Sequence, residues 1–388
     1  MGLINLVADE NILLLDELFG DIANVTKVNG RTINPEQIAR ADALVVRSTA
    51  KITPDLLDAS DVKFVGTCTI GTDHLAKDYM HANNIAWTNA PGCNAAGVGD
   101  YVIACLNHAW QTLSLDPRYL TIGVVGAGNV GGRLAKRLQA AGFNVLQCDP
   151  PLAQAGSKGY ISLDELLASS QIVCLHTPLT KDGDHATENL LNAQRINALA
   201  KDTVLISAGR GEVVDQDALL ARQKRHQDLH LYMDVWHKEP HIDPSLFPFS
   251  HCVTPHIAGH SLEGKMRGTY MIYQALCQHF GLPADKNLAE LMPEPKLTHI
   301  ELKAGATAQD IMAVACNSVY PLMEDDARMR GQSDFDQLRK TYPVRREFSS
   351  LQLNGITDSS IAAMMDGLGF GVNLNCVYDL NTQAVEDR

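Results

Sequence analysis

From Leu120 to Gly131 the chain reads LTIGVVGAGNVG. An apolar run, Leu120 to Val125, leads directly into Gly126-Ala127-Gly128-Asn129-Val130-Gly131, after which Leu134, Ala135, Leu138 and Ala141 recur at helical spacing. A G-x-G-x-x-G by itself is a weak signal. This one stands between a strand and a helix, and the next strand, Asn144 to Cys148, ends on Asp149 about 20 residues further on, which makes it a strong one. The glycines permit a tight turn and let a pyrophosphate approach the helix N-terminus, whose N–H groups and dipole attract it. Asp149 is placed to accept hydrogen bonds from the adenosine ribose, and a carboxylate there repels a 2′-phosphate. Pro150 and Pro151 follow with no Arg nearby, so the motif favours NAD over NADP.

Outward from this motif, short apolar runs alternate with helix-length segments. They are Leu3 to Ala8, Ala43 to Arg47 and Phe64 to Gly66 on one side, and Ile172 to His176, Thr203 to Ser207 and Leu231 to Val235 on the other. Such alternation predicts βαβ crossovers and parallel sheets, an α/β fold with two groups of strands. Gly97 to Leu113, with Val98, Val102, Cys105, Leu106 and Ala109 at helical spacing, reads as a helix bridging the groups, and a return crossing is expected near Pro255. Pro293 to Lys296 reads as a linker into a tail. There Leu297 to Leu302 and Leu351 to Asn354 are expected as strands, Ala306 to Met323 and Ser359 to Leu368 as helices, and Gly371 to Val377 as a closing strand. The expected domains are therefore 1–97 with 255–283, 98–254 carrying the nucleotide motif, and a small α+β C-terminal domain, 284–388.

The 388 residues are 45% hydrophobic and 20% charged, ordinary globular usage. Lys and Arg number 32 against 45 Asp and Glu, a formal charge of −13, so nucleic acid and anionic membrane are not expected partners. A small anionic substrate requires Arg residues concentrated where it binds. The nine Cys residues include no C-x-x-C pair, which points to reduced thiols and a cytoplasmic setting. Met1 to Asp9 has no basic leader segment, and the uncharged stretch Tyr79 to Gly99 is interrupted by Asn, Pro and Gly, so no membrane span is expected.

Three polar clusters follow the later strands: Ser207-Ala208-Gly209-Arg210-Gly211, Asp234 to Pro240 (DVWHKEP) and Thr254 to Gly259 (TPHIAG). Taken singly, Arg210, Glu239 and His256 have bland explanations. Together they supply an alcohol oxidation: an imidazole held by a carboxylate takes the hydroxyl proton, and an arginine binds the substrate carboxylate and polarises the developing carbonyl. A metal hydrolase built on His237 and His241, or on His251, His256 and His260, is the first alternative. Pro240 breaks the helix that would place the first pair on one face, and no metal is expected.

In order and spacing these motifs resemble the D-isomer-specific 2-hydroxyacid dehydrogenase family over nearly everything before residue 283. The resemblance implies a Rossmann nucleotide-binding domain beside a flavodoxin-like substrate domain. It implies that His256 is the proton donor or acceptor, Glu239 its partner and Arg210 the substrate clamp, and that Asp234 faces the nicotinamide. Val46-Arg47-Ser48, Phe64 to His74 (FVGTCTIGTDH), Ala90 to Ala95 (APGCNA), Pro255 to Thr269 and the tail stretch Phe335 to Leu351 are similar to the branch that oxidises 4-phospho-D-erythronate during pyridoxal phosphate synthesis. By that resemblance Ser48 and Thr69 contact substrate, Thr177 and Gly259 contact NAD, and the tail forms a homodimer. Position 260 is His where close members of that branch carry a substrate-contacting Tyr. For the phosphate, Arg47 and one of Arg345 or Arg346, with Arg346 preferred, are the expected cations. A dehydrogenase of another 2-hydroxy acid, such as glycerate or 3-phosphoglycerate, and an NAD-sensing protein without catalysis remain as alternatives.

Overall fold

The computed structural model of the chain describes residues 3–373. The chain passes between two compact units after Asn94, His260 and Glu294. The first unit is built on five parallel strands, β1 (Ile4–Asp9), β2 (Ala23–Val28), β3 (Ala43–Val46), β4 (Phe64–Thr67) and β5 (Ala86–Thr88), in the order β2-β1-β3-β4-β5. β3 and β4 are buried along their whole length, as strands covered on both faces must be. The helix Leu262–Phe280 lies on one face, where Ile272, Tyr273 and Leu276 pack with Leu6, Leu18 and Phe64. It lies so close that a Cβ on Gly66 would come within 2.3 Å of Ile272. Ile38, Leu56, Leu57 and Met80 cover the other face. The strand order is the flavodoxin-like one, whose ligand crevice lies at the C-terminal ends of β1 and β3.

The second unit carries a six-stranded parallel sheet of β6 (Thr121–Val125), β7 (Asn144–Cys148), β8 (Ile172–Leu175), β9 (Val204–Ser207), β10 (His230–Met233) and β11 (Ser250–Val253), ordered β11-β10-β9-β8-β6-β7. The order turns at β6, which has β7 on one side and β8 on the other. The glycine loop leaves β6 at that switch point, where open α/β sheets bind ligands. Helices Ala95–Leu113 and Gly131–Ala140 cover one face, while Leu166, Ile196 and Leu219 cover the other.

The tail belongs to this second unit. Its three short parallel strands, β12 (His299–Glu301), β13 (Gln352–Asn354) and β14 (Gly371–Val372), form a separate sheet. Its helix Ala308–Val319 packs on Ala95–Leu113, and Ser359–Gly367 packs on Gly131–Ala140, so that Met312, Cys316, Phe348 and Met365 share a core with Ile122 and Leu138. The single helix expected from Ala306 to Met323 is two, Ala308–Val319 and Leu322–Gly331, because Pro321 lacks an N–H and forces Tyr320 out of helical geometry. The expected strand Gly371 to Val377 is present as β14, and its residues from 374 onward lie outside the described residues. Leu322–Gly331 also runs along the edge strand β11. There the Asp326 carboxylate accepts the Val253 N–H at 2.8 Å, and Arg330 donates to the carbonyls of Phe247 at 2.8 Å and Ser250 at 2.9 Å. An otherwise open sheet edge is thus capped by an ion pair from the tail. Among the described residues no helix is long and apolar enough to cross a membrane.

Candidate active site

β9, β10 and β11 are neighbours, so the loops leaving Ser207, Met233 and Val253 emerge side by side and carry the three polar clusters. Asp234, only 1% exposed, organises them. Its carboxylate accepts the Thr254 hydroxyl at 2.6 Å and the N–H groups of Ile257 at 2.8 Å and Ala258 at 3.0 Å, while its carbonyl accepts the His256 N–H at 2.7 Å. Three of the roughly four lone-pair positions on the carboxylate are therefore spent on one loop. That loop needs holding, because His256 sits at φ 54°, a left-handed conformation costing a side-chain residue about 1–2 kcal/mol. The return crossing expected near Pro255 comes instead after His260, since these bonds keep residues 254–258 with the sheet they leave.

The His256 Nδ1 lies 2.6 Å from the Glu239 Oε2, and the Trp236 N–H donates to the Glu239 Oε1 at 2.9 Å. With Nδ1–H donated to the carboxylate, Nε2 carries the lone pair that can accept a proton. Burial acts to raise the Glu239 carboxyl, but the charge and hydrogen bond of His256, the Trp236 N–H and the charge of Arg339 outweigh it and hold the group below its ordinary range. Trp236 is itself fixed by its indole N–H, which donates to the Thr254 carbonyl at 2.9 Å. Arg210 stands against the same turn: a Cβ on Gly211 would fall 2.1 Å from the backbone of Trp236, so only glycine allows the approach. The Arg210 Nη1 donates to the Gly209 carbonyl at 3.0 Å, which fixes the direction in which the guanidinium leaves its loop.

At the switch point, the motif glycines divide by cause. Gly126 has φ +84° and lies against Thr177; a Cβ on Gly131 would meet the Gly126 carbonyl at 1.9 Å. Gly128 has nothing within 4 Å of the position a Cβ would take. Protein packing therefore explains two glycines, and the third keeps a space open. The helix that follows has no side-chain cap at Val130. Asp149 accepts the Ala127 N–H at 2.8 Å and the Leu152 N–H at 3.1 Å, one on each oxygen, and each oxygen retains a further lone pair. The Thr177 hydroxyl, the Ser207 hydroxyl and both His176 ring nitrogens are buried without a partner among the described residues. An open cradle rimmed by unsatisfied polar atoms fits a dinucleotide, with Gly126, Gly128, Asn129, Val130, Gly131, Asp149 and Thr177 as the groups that would hold it.

The first unit gathers its own polar groups at the C-terminal edge of its sheet. Ser48 follows β3 and Thr69 follows β4. Arg47 is held by the buried Asp9 at the end of β1, with Nε 3.1 Å and Nη2 3.4 Å from the carboxylate. The Thr69 hydroxyl is 2.9 Å from that of Thr67, which lies 3.0 Å from the His74 Nε2. Burial, opposed by Asp73, lowers His74 to about 4, so the ring is neutral and works as a hydrogen-bonding post.

In the second unit, His260 packs against Tyr342 of the tail, with ring centroids 5.6 Å apart and the planes tilted by 58°. Of the two tail arginines considered for the phosphate, Arg345 is 4% exposed and donates to the carbonyls of Ala258 and Gly97, so it is closed off from that role. Arg346 is half-buried. Asp9, Thr67 and His74 were not assigned from sequence, and Arg345 was weighed there only as a phosphate ligand, not as a group that binds the Ala258 carbonyl. Asp9 had a signal, an acid at the end of an apolar strand, whereas Arg345 sits in an irregular segment with none. The histidines weighed for a metal turn to separate partners: His237 to the Val214 carbonyl at 2.8 Å, His251 to His230 at 2.9 Å and His256 to Glu239.

Over 95% of its length the chain is 45% identical to the erythronate-4-phosphate dehydrogenase of Chromohalobacter salexigens, of which it covers 99%. The chain belongs to the erythronate-4-phosphate dehydrogenase family. The family's member from Marinobacter nauticus is 44% identical over 95% of this chain and is covered in full. Residues 97–258 match the D-isomer specific 2-hydroxyacid dehydrogenase, NAD binding domain, and residues 291–369 match a domain of unknown function. Among solved structures, NAD+-bound 3-phosphoglycerate dehydrogenase of Entamoeba histolytica superposes with a TM-score of 0.62 at 20% identity, over 72% of this chain and 96% of that one. At that identity the likeness shows the shared fold.

Proposed function

We propose that the chain oxidises 4-phospho-D-erythronate to 2-oxo-3-hydroxy-4-phosphobutanoate with NAD, a step of pyridoxal 5′-phosphate synthesis. The observation that carries this reading is the near full-length match to erythronate-4-phosphate dehydrogenases in a chain whose His256–Glu239 pair is assembled at 2.6 Å. NAD, when bound, supplies the acceptor for the hydride that leaves C2 of the substrate. His256 takes the hydroxyl proton at Nε2 as the C–O bond becomes a carbonyl, and Glu239 stabilises the imidazolium that results. Arg210 holds the substrate carboxylate and polarises the forming carbonyl. Asp234 and Gly259 serve the nicotinamide side, and Asp149 discriminates against a 2′-phosphate. Arg47, Ser48, Thr69, His260 and Arg346 bind the substrate. Residues up to Asn94 with Ser261–Glu294 act as the substrate unit, Ala95–His260 as the NAD-binding part of the second unit, and the tail from Pro295 as the dimerisation element of a cytoplasmic homodimer.

The test is formation of reduced cofactor with NAD and 4-phospho-D-erythronate, run beside D-glycerate, 3-phosphoglycerate and the His256→Ala variant. Preference for the phosphorylated erythronate, with a loss of about 10²–10⁴-fold in the variant, is the expected result. Turnover of only another acid would reject the substrate, and NAD binding without any turnover would reject the enzyme.

A further inference from the structure

We propose that Arg345, from the tail, is a positioning residue for the reaction: it fixes the loop that carries His256. The tail would then belong to the catalytic apparatus of its own chain. This inference rests on the assignment of His256 as the acid–base group.

The loop is pinned from two sides at Ala258, two residues past the strained His256. Asp234 accepts the N–H of Ala258 at 3.0 Å, and the Arg345 Nη2 donates to the carbonyl of the same Ala258. Arg345 also donates to the Gly97 carbonyl at 3.3 Å, at the start of the helix Ala95–Leu113, so the loop is tied to a long rigid element. The guanidinium lies over the Tyr320 ring at 4.2 Å, and Tyr342, three residues before it, donates to Asp325 at 2.6 Å while packing on His260. Its Nε and Nη1 are buried without a partner among the described residues. A buried guanidinium left partly unsatisfied is a poor way to fill a core, where an apolar side chain of the same volume is usually as stable or more so. What Arg345 offers, and an apolar residue does not, is a directed bond to the backbone two residues past His256, itself at φ 54°. Arg339 of the same segment is among the charges that act on Glu239, so a second tail cation bears on the catalytic pair.

The experiment compares Arg345→Met and Arg345→Lys with the parent in kcat, KM for NAD and for substrate, NAD affinity by fluorescence, melting temperature, and amide hydrogen exchange of the segment 254–260. Expected for Arg345→Met is a fall in kcat of about 10-fold or more with NAD affinity within about 2-fold, and exchange at Ile257 and Ala258 faster than in the parent while the β-sheet amides keep the parent's rates. Arg345→Lys, which keeps the charge but loses the fork, should recover part of both. Parent-like kcat and loop exchange in both variants, with only the melting temperature lowered, would overturn the proposal and leave Arg345 a packing residue. If Arg345→Met does not fold, the loop exchange and kcat of Arg345→Lys decide alone. Altered loop exchange in an enzyme whose parent ignores 4-phospho-D-erythronate would keep the positioning role and reject the substrate.

Discussion

His256 reaches Glu239 from a loop that the Asp234 carboxylate, twenty-two residues before His256 in the chain, holds in shape. The types of the candidate acid–base residues were readable in the sequence, since only a few side chains can move a proton at neutral pH. The holding was not, because the spacing from Asp234 to Thr254 does not say which backbone amides the carboxylate meets. In Glu239→Gln the imidazolium loses its counter-charge. The acid limb of the kcat/KM profile for hydroxy-acid oxidation should move to lower pH, with kcat down about 10–100-fold, and a pH–rate series reads both. His176 gives a second pH effect, on stability. Burial lowers it to about 4, so between that pH and its ordinary 6.5 the unfolded chain binds a proton that the native protein refuses. Stability is therefore intact above about 6.5 and falls as pH drops toward 4, by about 2 kcal/mol between pH 7 and pH 5 for this one ring. His176→Gln should flatten that part of the melting-temperature profile; an unchanged slope would show that other groups govern it.

At the scale of elements, the strand–glycine–helix unit after β6 was legible because each residue obeys a local rule. The edge strand β2 (ANVTKV) was missed because half of it faces water and it shows no apolar run, and the break at Pro321 was overlooked within a convincing helical periodicity. The glycine unit yields a paired prediction. Gly128→Ala adds a methyl where the protein has no atom within 4 Å, so the melting temperature should hold while NAD affinity drops about 10-fold or more. Gly131→Ala would push a methyl to 1.9 Å from the Gly126 carbonyl, and should lower both. Calorimetry of both variants, with and without NAD, separates the outcomes. Equal loss of stability in the two would mean that Gly128 is structural as well.

At the scale of the whole molecule, the tail's fusion with the nucleotide unit was the least legible feature. A Pro-bounded linker at residues 293–296 suggests an independent module, yet the tail's apolar residues complete the core around Ile122 and Leu138. A chain ending at Glu294 should therefore be insoluble or unfolded in its second unit and not an active monomer; solubility and circular dichroism of that truncation decide. The capped edge of β11 has a further consequence, for the order in which the protein is made. Val253 leaves the ribosome roughly seventy residues before Asp326 and ninety before Arg345, so at synthesis rates of about 5–20 residues per second the sheet edge waits several seconds or longer for Asp326 and Arg330, and the loop of Ala258 for Arg345. During that interval a nascent chain has an uncapped outer edge on β11 and an unsecured loop exposed to its neighbours on a polysome. Pausing, temperature or chaperone supply during translation should thus govern how much of this protein reaches the folded state.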